Sequence, residues 1–262
     1  MEEGHLPQAG ALASDVTPSR RHGRLAVMLA ADPATVEDAQ RLRFKVFAEE
    51  LGATLEGGDG LDVDAFDAWC DHLVVRDEDT LRVVGTYRLL PPHQARRLGR
   101  LYTESEFDLR RLAHLRPTMV ELGRSCVHRD YRSGPALMLL WAGLARYMKT
   151  NRYSHAVGCA SVTLADGGRL AAFVRDEAQR HLAPLDYRVF PRVPFPHEQI
   201  ERAAPAELPP LIRGYLRAGA RVCGEPAWDP QFGTADFPML VTVDNVNRRF
   251  ARHFELSPDR DA

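Results

Sequence analysis

The segment from residue 118 to 151 restricts the possible folds more than any other part of the chain. It starts with the β-rich run TMVELGRSCV, crosses a short polar turn, and continues from Pro135 as an apolar helix. Residues 72 to 90 precede it and predict a β-hairpin, because two β-rich runs flank an acidic turn. The run YSHAVGCASV follows it and predicts another strand. This order predicts an α/β domain with a mixed, mostly antiparallel sheet flanked by helices.

Weaker patterns predict the other elements. Asp32 followed by Pro33 predicts the start of a helix that reaches about Glu50. Residues 53 to 66 are rich in glycine and aspartate, which favours a long loop. The remaining expected elements are strands at 24 to 30 and 237 to 243, helices at about 106 to 115, 168 to 182 and 208 to 220, and a short closing helix.

The predicted order of elements is similar to that of the N-acetyltransferase-like (GNAT) fold. We expect residues 1 to 23 to form a disordered tail and residues 24 to 262 to form one domain. Within that domain, the GNAT-like core is expected to end near residue 190, and a C-terminal extension to cover about 191 to 262.

In the GNAT fold, the turn before the central helix receives a pyrophosphate, because backbone N–H groups at a helix start bind anions. Tyr131 stands where the usual motif has glutamine or arginine, so the motif is incomplete. Arg129, Arg132 and Gly134 remain the candidate phosphate-binding residues. An ordinary strand-to-helix turn with surface arginines is the alternative.

Composition argues against several classes of protein. The chain has 262 residues, 45% hydrophobic content and a net charge of -2, so it can bury a sizeable core and has no general attraction to nucleic acid. Its four cysteines lie far apart, so we expect reduced thiols in the cytoplasm and no metal. The first residues lack the pattern of a signal peptide. No run approaches 18 uncharged apolar residues, so any membrane contact would be peripheral.

Charge is unevenly distributed along the chain. Residues 49 to 79 contain eleven acidic residues and one basic residue, a net charge of -10. Residues 88 to 132 contain ten arginines and five acidic residues, a net charge of +5. Solvated faces are the usual meaning of such runs. The functional alternative is that a cationic and an anionic ligand approach from different sides.

Glu121 is the candidate catalytic base. A carboxylate inside an apolar strand pairs with a cation or acquires a raised pKa, which suits proton abstraction from an amine. Arg124, Arg43 and Arg88 are candidate partners, and structural ion pairs are the commoner role of such residues. Because strand side chains alternate, Glu121 and Arg124 would face opposite sides. We therefore predict a β-bulge at Gly123, which would return them to one side and splay the strand from the next.

Cys126 and His128 offer a second hypothesis, a Cys–His nucleophile. Residues two apart on a strand point the same way, but the sequence specifies no acid that would orient the histidine. The thiol mechanism is therefore less favoured than direct attack by an amine.

Several stretches resemble one family when they are taken in order. They are RLRFKVFAEELG (41 to 52), DAFDAWCDHL (64 to 73), GTYRLL (85 to 90), ELGRSCVHRDYR (121 to 132), LLWAGLARY (139 to 147) and GYLRAGARVCGEPAWDPQFGTADFPMLV (214 to 241). Over roughly residues 24 to 253, the chain resembles the bacterial L-ornithine N-alpha-acyltransferases, once grouped as hemolysin-like. It is similar, more distantly, to the acyl-homoserine lactone synthases. A tryptophan that those synthases carry after the phenylalanine is missing here, which puts lactone synthesis in doubt.

The resemblance implies transfer of a 3-hydroxy fatty acyl group from acyl carrier protein to the α-amine of L-ornithine, giving lyso-ornithine lipid. No bound cofactor is implied, since the donor is the phosphopantetheine thioester of the carrier. The shared pattern implies catalytic roles for Glu121 and Arg124. It implies substrate-binding roles for five further residues, Arg43, Phe47, Asp64, Asp67 and Arg88.

Charge fits the two implied substrates. An acidic carrier would dock on the arginine-rich segment, whose members include Arg96, Arg97, Arg100, Arg110 and Arg111. The acidic loop with Asp64 and Asp67 is expected to hold the distal ammonium of ornithine. The incomplete phosphate turn fits a phosphopantetheine, which has one phosphate where coenzyme A has a pyrophosphate.

Other functions remain open on sequence alone. They are lactone synthesis, acyl transfer to another amino acid or from coenzyme A, and a non-catalytic carrier-binding or lipid-binding module. Because the implied product is amphiphilic, we expect a cytoplasmic protein with peripheral contact to the inner face of the cytoplasmic membrane.

Overall fold

Ten strands form the framework of the computed structural model, which describes residues 24–55, 57–132, 134–200 and 206–246. The expected tail over residues 1 to 23 lies outside these ranges, and so does the segment after residue 246. The strands are β1 (Leu25–Leu29), β2 (Asp71–Asp77), β3 (Val83–Leu90), β4 (Phe107–Asp108), β5 (Met119–Val127), β6 (His155–Thr163), β7 (Phe190–Pro191), β8 (Arg221–Val222), β9 (Ala227–Asp229) and β10 (Thr234–Thr242).

Eight of these strands form one mixed sheet in the order β1-β2-β3-β5-β6-β10-β8, with β9 also paired to β10. The neighbours are antiparallel except for β5 and β6, which run parallel. Strands β4 and β7 form a separate two-stranded sheet. The α/β class and the mostly antiparallel sheet predicted from the sequence are confirmed, and β10 adds C-terminal residues to the same sheet.

Within the part of the chain that the structure describes, five α-helices accompany the sheet. They are α1 (Pro33–Phe44), α2 (Pro92–Leu98), α3 (Pro135–Thr150), α4 (Arg169–Ala178) and α5 (Pro210–Ala218). Helix α1 begins as predicted, because the Asp32 carboxylate accepts the backbone N–H of Thr35 at 2.9 Å. The expected helix to Glu50 changes at Lys45 into a π-helix (Lys45–Glu50), which carries Phe47.

Helix α3 covers one face of the sheet and α1 covers the other. Leu73 and Val74 follow each other on β2, and they pack with α3 and α1 respectively, as strand alternation requires. Gly143 lets α3 approach the sheet closely, since a Cβ there would lie 2.7 Å from Cγ2 of Val27. Both faces of the central strands are therefore buried, and a charged side chain among them needs a specific partner.

The ladder between β3 and β5 contains a bulge. Arg88 of β3 pairs with Gly123. Two residues earlier on β3, Thr86 pairs with Cys126, so β5 has one extra residue between the two pairs. The predicted bulge is confirmed, but its position is corrected. Gly123 keeps its place in the ladder, and Arg124 takes the irregular backbone with φ +50°.

The splay predicted between β5 and β6 is also present. The two strands pair from Met119 with His155 up to Leu122 with Gly158. At that last pair the strands are very close, because a Cβ on Gly158 would lie 2.4 Å from the carbonyl oxygen of Leu122. Beyond it, β6 continues beside β10 while β5 turns away at the bulge. A gap therefore opens between the two strands.

One other detail differs from the sequence-based expectation. The segment expected as a helix over 106 to 115 instead forms β4 and then a 3-10 helix (Arg110–Thr118). Pro117 lies near its end, where it cannot donate a backbone hydrogen bond, and the chain becomes extended at Met119. No helix within the described ranges is long and apolar enough to cross a membrane.

Candidate active site

A cavity of about 220 Å³ lies where β5 separates from β6. Its walls come from both strands, from β10, from the π-helix and from a 3-10 turn (Tyr102–Ser105). Glu121 and Arg124 both line it, so the bulge brings the two predicted catalytic residues to one cavity. The sequence-based problem of two residues three positions apart on a strand is thus resolved by the extra residue.

The Glu121 carboxylate lies at the N-terminus of the 3-10 turn. Its Oε1 accepts the backbone N–H and the hydroxyl of Thr103, both at 2.7 Å, and its Oε2 accepts the backbone N–H of Tyr102 at 2.7 Å. Burial raises the pKa of Glu121 above its usual range, and these hydrogen bonds oppose the rise. Since each carboxylate oxygen can accept two hydrogen bonds, Oε2 retains the capacity to take a proton.

Arg124 is not the partner of Glu121. Its guanidinium contacts Asp62 at 3.2 Å and Asp64 at 3.3 Å, and it stacks on the rings of Tyr102 and Phe232. The stacking holds the guanidinium at the cavity wall, where it can meet a ligand carboxylate.

Arg43 and Arg88 complete a buried network with Asp62, Asp64 and Asp67 of the acidic loop. Arg43, with 0% of its surface exposed, contacts Asp62 at 2.8 Å and Asp67 at 2.8 Å. Arg88 contacts Asp64 at 2.6 Å and Asp67 at 3.1 Å. With Arg124, three arginines thus balance three aspartates. Asp62 was missed by the sequence analysis, because its position among many acids gives no signal of its own.

This network changes the interpretation of Asp64 and Asp67. Their carboxylates bind arginines, and the neighbouring cations of Arg43 and Arg88 help to hold the pKa of Asp67 below its usual range although burial opposes them. The negative charge of these two carboxylates is therefore already balanced by arginines and is not left over to bind a substrate ammonium, the role expected from the sequence. Among the other predicted substrate-binding residues, Phe47 lines the cavity and packs edge-on against Phe232 at 5.8 Å.

A second group of acids lies beside the cavity and was also missed. Glu106, Asp229 and Asp236 lie close together around Cys159 and Ser161 of β6. Burial and the other two carboxylates raise the pKa of Glu106 to about 9, and burial raises that of Asp236 to about 6. Asp236 carried the same signal as Glu121, an acid beside an apolar strand run, but the predicted strand began one residue later.

The candidate phosphate-binding residues lie outside the cavity lining. Arg132 donates to the carbonyl of Val127 at 2.9 Å and to Glu50 at 2.7 Å, while Arg129 is exposed. Gly134 precedes α3 with φ +123°, a conformation that favours glycine. Tyr131, which replaces the usual motif residue, donates its hydroxyl to Asp77 at 2.6 Å.

The structure gives no support to a Cys–His nucleophile. Cys126 is buried in the apolar cluster beneath α1, and burial raises the pKa of its thiol to about 12. His128 contacts the amine of Lys45 at 3.1 Å, and burial lowers its pKa. Cys70 and Cys159 line the cavity, but burial raises the pKa of both thiols as well.

Exposed arginines lie on α2 and on the segments that follow it, a set termed the basic face. Arg97 stacks on Trp69 at 5.4 Å and Arg100 on Phe66 at 5.2 Å. Phe66 also contacts Arg88 at the cavity, so this basic face adjoins the cavity wall. The five exposed members that the sequence analysis singled out are Arg96, Arg97, Arg100, Arg110 and Arg111.

Comparison with known families supports the fold. A family model described as an acetyltransferase (GNAT) domain matches residues 42–142. The crystal structure of the acyl-homoserine lactone synthase LasI superimposes with a TM-score of 0.54 and 13% identity, covering 91% of this chain and 98% of that one. The synthase BjaI with MTA gives a TM-score of 0.50 at 18% identity, over 85% and 81% of the two chains. At these identities the likeness concerns the fold alone, and the GNAT prediction is confirmed.

Curated relatives are similar over most of their length. A protein from Brucella abortus named L-ornithine N(alpha)-acyltransferase is 35% identical, with 92% of each chain covered. A protein of the same name from Rhodobacter capsulatus is 37% identical, over 85% of this chain and 92% of that one. The chain also has the GNAT fold, and Glu121 and Arg124 line the same cavity. Together with the similarity to these relatives, this shows that the chain is an acyltransferase of the L-ornithine N(alpha)-acyltransferase family.

Proposed function

We propose that the protein transfers a 3-hydroxy fatty acyl group from acyl carrier protein to the α-amine of L-ornithine, giving lyso-ornithine lipid. The observation that carries the proposal is Glu121, a buried carboxylate on the wall of a cavity that opens between two splayed strands. The names of the curated relatives supply the acceptor. The sequence resemblance supplies the carrier-bound 3-hydroxyacyl donor.

The proposed chemistry is direct attack. The substrate amine attacks the thioester carbonyl, Glu121 takes the amine proton directly or through a water, and the phosphopantetheine thiolate leaves. Pairing between β5 and β6 ends at Leu122, so backbone N–H groups of β5 that face away from β3 beyond that point have no partner on β6, and they are proposed to polarise the carbonyl. No enzyme thiol takes part, which agrees with the raised pKa values of Cys70 and Cys159.

Arg124 is proposed to bind the α-carboxylate of the amino acid. Its contacts to Asp62 and Asp64, at 3.2 and 3.3 Å, are longer than those of Arg43 and Arg88 in the same network. A substrate carboxylate can therefore gain a bidentate contact at limited cost to the network. This places the α-amine between Arg124 and Glu121 in the proposed complex.

The donor is proposed to enter past the basic face. Acyl carrier proteins are acidic, and exposed arginines on α2 favour their approach. Arg129, Arg132 and the turn at Gly134 are the proposed contacts of the single phosphate. Arg132 would then exchange Glu50 for the phosphate, which predicts an affinity that falls with salt.

Peripheral contact with the cytoplasmic face of a membrane is a further part of the proposal. Leu185, Phe190, Val193 and Trp228 are exposed, and the guanidinium of Arg111 stacks on Phe190 at 5.1 Å. Apolar side chains next to arginine suit an anionic lipid surface. The protein should sediment with phosphatidylglycerol vesicles, and Phe190→Ser should weaken that. Recovery of the wild-type protein in the supernatant would refute membrane contact.

The test of the reaction is mass spectrometry of products. Purified protein is mixed with 3-hydroxyacyl carrier protein and, separately, ornithine, lysine, glutamine, glycine or S-adenosylmethionine. We expect acyl-ornithine as the main product and little transfer when the same acyl group is supplied on coenzyme A. A lactone made from S-adenosylmethionine would establish the rival synthase function instead. Transfer to another amino acid in preference to ornithine would also overturn the proposal.

A further inference from the structure

The distal ammonium of an ornithine acceptor needs a partner that the acidic loop does not provide. Asp62, Asp64 and Asp67 are balanced by three arginines. The cavity has a second acidic wall, formed by Asp229 of β9 and Asp236 of β10. Both carboxylates are buried, with 7% and 4% of their residue surfaces exposed.

Glu106 adds an observation that is independent of this clustering. Both of its carboxylate oxygens are buried and accept no hydrogen bond from an N–H or hydroxyl group of the described residues, while a hydrogen bond with the Asp236 carboxyl helps to raise the pKa of Glu106. Ligand atoms of Glu106, Cys159 and Asp236 lie within 4.8 Å of one another. Two buried carboxyl groups this close cannot both be ionised at low cost unless a cation lies beside them, so the pair holds a proton that a bound cation with hydrogen-bond donors can replace.

We propose that Glu106, Asp229 and Asp236 bind the distal ammonium of the amino-acid acceptor, an inference that rests on the proposed function. An ammonium has three N–H donors and one positive charge, which match a group of carboxylates. Asp229 is held for this role by the backbone N–H groups of Gln231 and Phe232, which it accepts at 2.8 and 3.1 Å.

The acid group lies next to the proposed base. Thr103, which donates to Glu121, lines the cavity together with Cys159 and Asp236. Cys159 also follows directly on Gly158, whose partner Leu122 is adjacent to Glu121. An acceptor whose α-amine meets Glu121 can therefore extend its methylene chain past Cys159 to Asp236. The number of methylene groups between the two amines of the acceptor then determines whether it can reach both Glu121 and Asp236.

A divalent metal is the alternative occupant of the cluster, since Glu106, Cys159 and Asp236 are all possible ligands. With no metal bound, burial and the neighbouring carboxylates raise the pKa of the Cys159 thiol and keep it neutral. A neutral thiol beside the methylene chain is instead a weakly polar wall that an alkyl chain can contact.

The test compares L-ornithine with L-norvaline, which has the same carbon chain without the distal amine. Asp236→Asn and Glu106→Gln should each raise the KM for ornithine by about tenfold or more, because a charge-assisted hydrogen bond is lost. The KM for norvaline should stay unchanged in both variants. Asp244→Asn is the matched control, since this exposed aspartate follows the end of β10 away from the cavity.

The outcomes separate the two proposals. An unchanged KM for ornithine in both variants, or an equal loss with both acceptors, would overturn the ammonium site while leaving acyl transfer in place. Calorimetric titration of wild-type protein with each amino acid, without donor, measures acceptor binding independently of acyl transfer. Preferential binding of ornithine that the variants abolish would support the site even where no acyl product forms. Ornithine binding that EDTA removes would assign the acids to a metal and refute the proposal.

Discussion

Glu121 and Arg124 lie on one wall of the cavity although three positions separate them on β5, and each binds a different partner. Glu121 accepts three hydrogen bonds from the 3-10 turn at Tyr102 and Thr103, whereas Arg124 contacts Asp62 in the acidic loop. A substitution at one of these residues should therefore leave the contacts of the other intact. Substitution of Glu121 should affect proton transfer, and substitution of Arg124 should affect binding of the substrate carboxylate.

Glu121→Gln should lower kcat by about 10²- to 10⁴-fold, because the amide cannot accept the amine proton. The amide nitrogen would also face an N–H donor of Tyr102 or Thr103, which costs about 1–3 kcal/mol of stability. Steady-state kinetics with a thermal melt measures both effects. Glu177→Gln, on an exposed ion pair of α4, is the control. A folded Glu121→Gln protein with wild-type turnover would eliminate Glu121 as the base.

Thr103→Val should shift the pH dependence of the reaction without removing the base. Loss of the hydroxyl donor removes a hydrogen bond to the charged carboxylate, so the pKa of Glu121 rises further. The acidic limb of kcat/KM should then move to higher pH. Thr80→Val in the β2–β3 turn controls for general effects of the substitution. An acidic limb that stays in place would mean that another group titrates.

Arg43→Ala should destabilise the fold far more than Arg41→Ala on the same helix. Arg43 is fully buried between Asp62 and Asp67, and removing it takes one of two arginine partners from each buried carboxylate, at about 3–5 kcal/mol. Arg41 pairs with Glu37 on the exposed face of α1, where such a pair contributes about 0.5 kcal/mol or less. Urea denaturation of both variants measures the difference. Equal losses of unfolding free energy would show that the buried network is not stabilising.

Ornithine binding should strengthen as pH rises from about 6 to 9, the pKa values of Asp236 and Glu106. An ammonium favours the charged carboxylates, so its binding releases protons. Tyr102 and Cys159, which also face Glu106, stay neutral there because burial raises their pKa values. Calorimetry in phosphate and Tris buffers should give different heats. Identical heats in the two buffers would exclude proton release.

The unliganded protein should show the opposite trend. The folded state keeps a proton on Glu106 that the unfolded state, with an ordinary carboxyl pKa, has already released. Stability without ornithine should therefore fall as pH rises over the same range. A melting temperature that rises instead would contradict the raised pKa of Glu106.

The bulge was predictable from the sequence, but not the residue that adopts it. Alternation on a strand requires an extra residue if Glu121 and Arg124 are to share a site. Glycine is the residue that tolerates the unusual backbone most easily, which favoured Gly123. Contacts of Arg124 with Tyr102, Phe232 and the acidic loop hold an arginine in that conformation instead. Such long-range contacts are not visible in a local pattern.

The sequence could not show, for a similar reason, that Glu106 and Asp236 meet beside the cavity. Glu106 belongs to a segment expected as helix, and Asp236 lies 130 positions later on a strand. They meet because β10 pairs with β6, where Ser161 is the ladder partner of Asp236. Local periodicity predicts elements, but it does not predict which strand lies beside β6. The negative charge of the acidic loop was predicted from the sequence, but the buried arginines that balance it were not predicted as its partners.

The bulge on β5 also has a consequence for how this strand tolerates insertions and deletions. Before the bulge Leu122 packs with α3, and after it Cys126 packs with α1. Even-numbered residues of β5 therefore point to one face of the sheet before the bulge and to the other face after it. Deleting one residue between Gly123 and Cys126 would restore simple alternation and could leave the ladder intact. Such a protein would keep its sheet while Arg124 turned away from Glu121. Along β5, the number of residues is thus as important to the site as their chemistry.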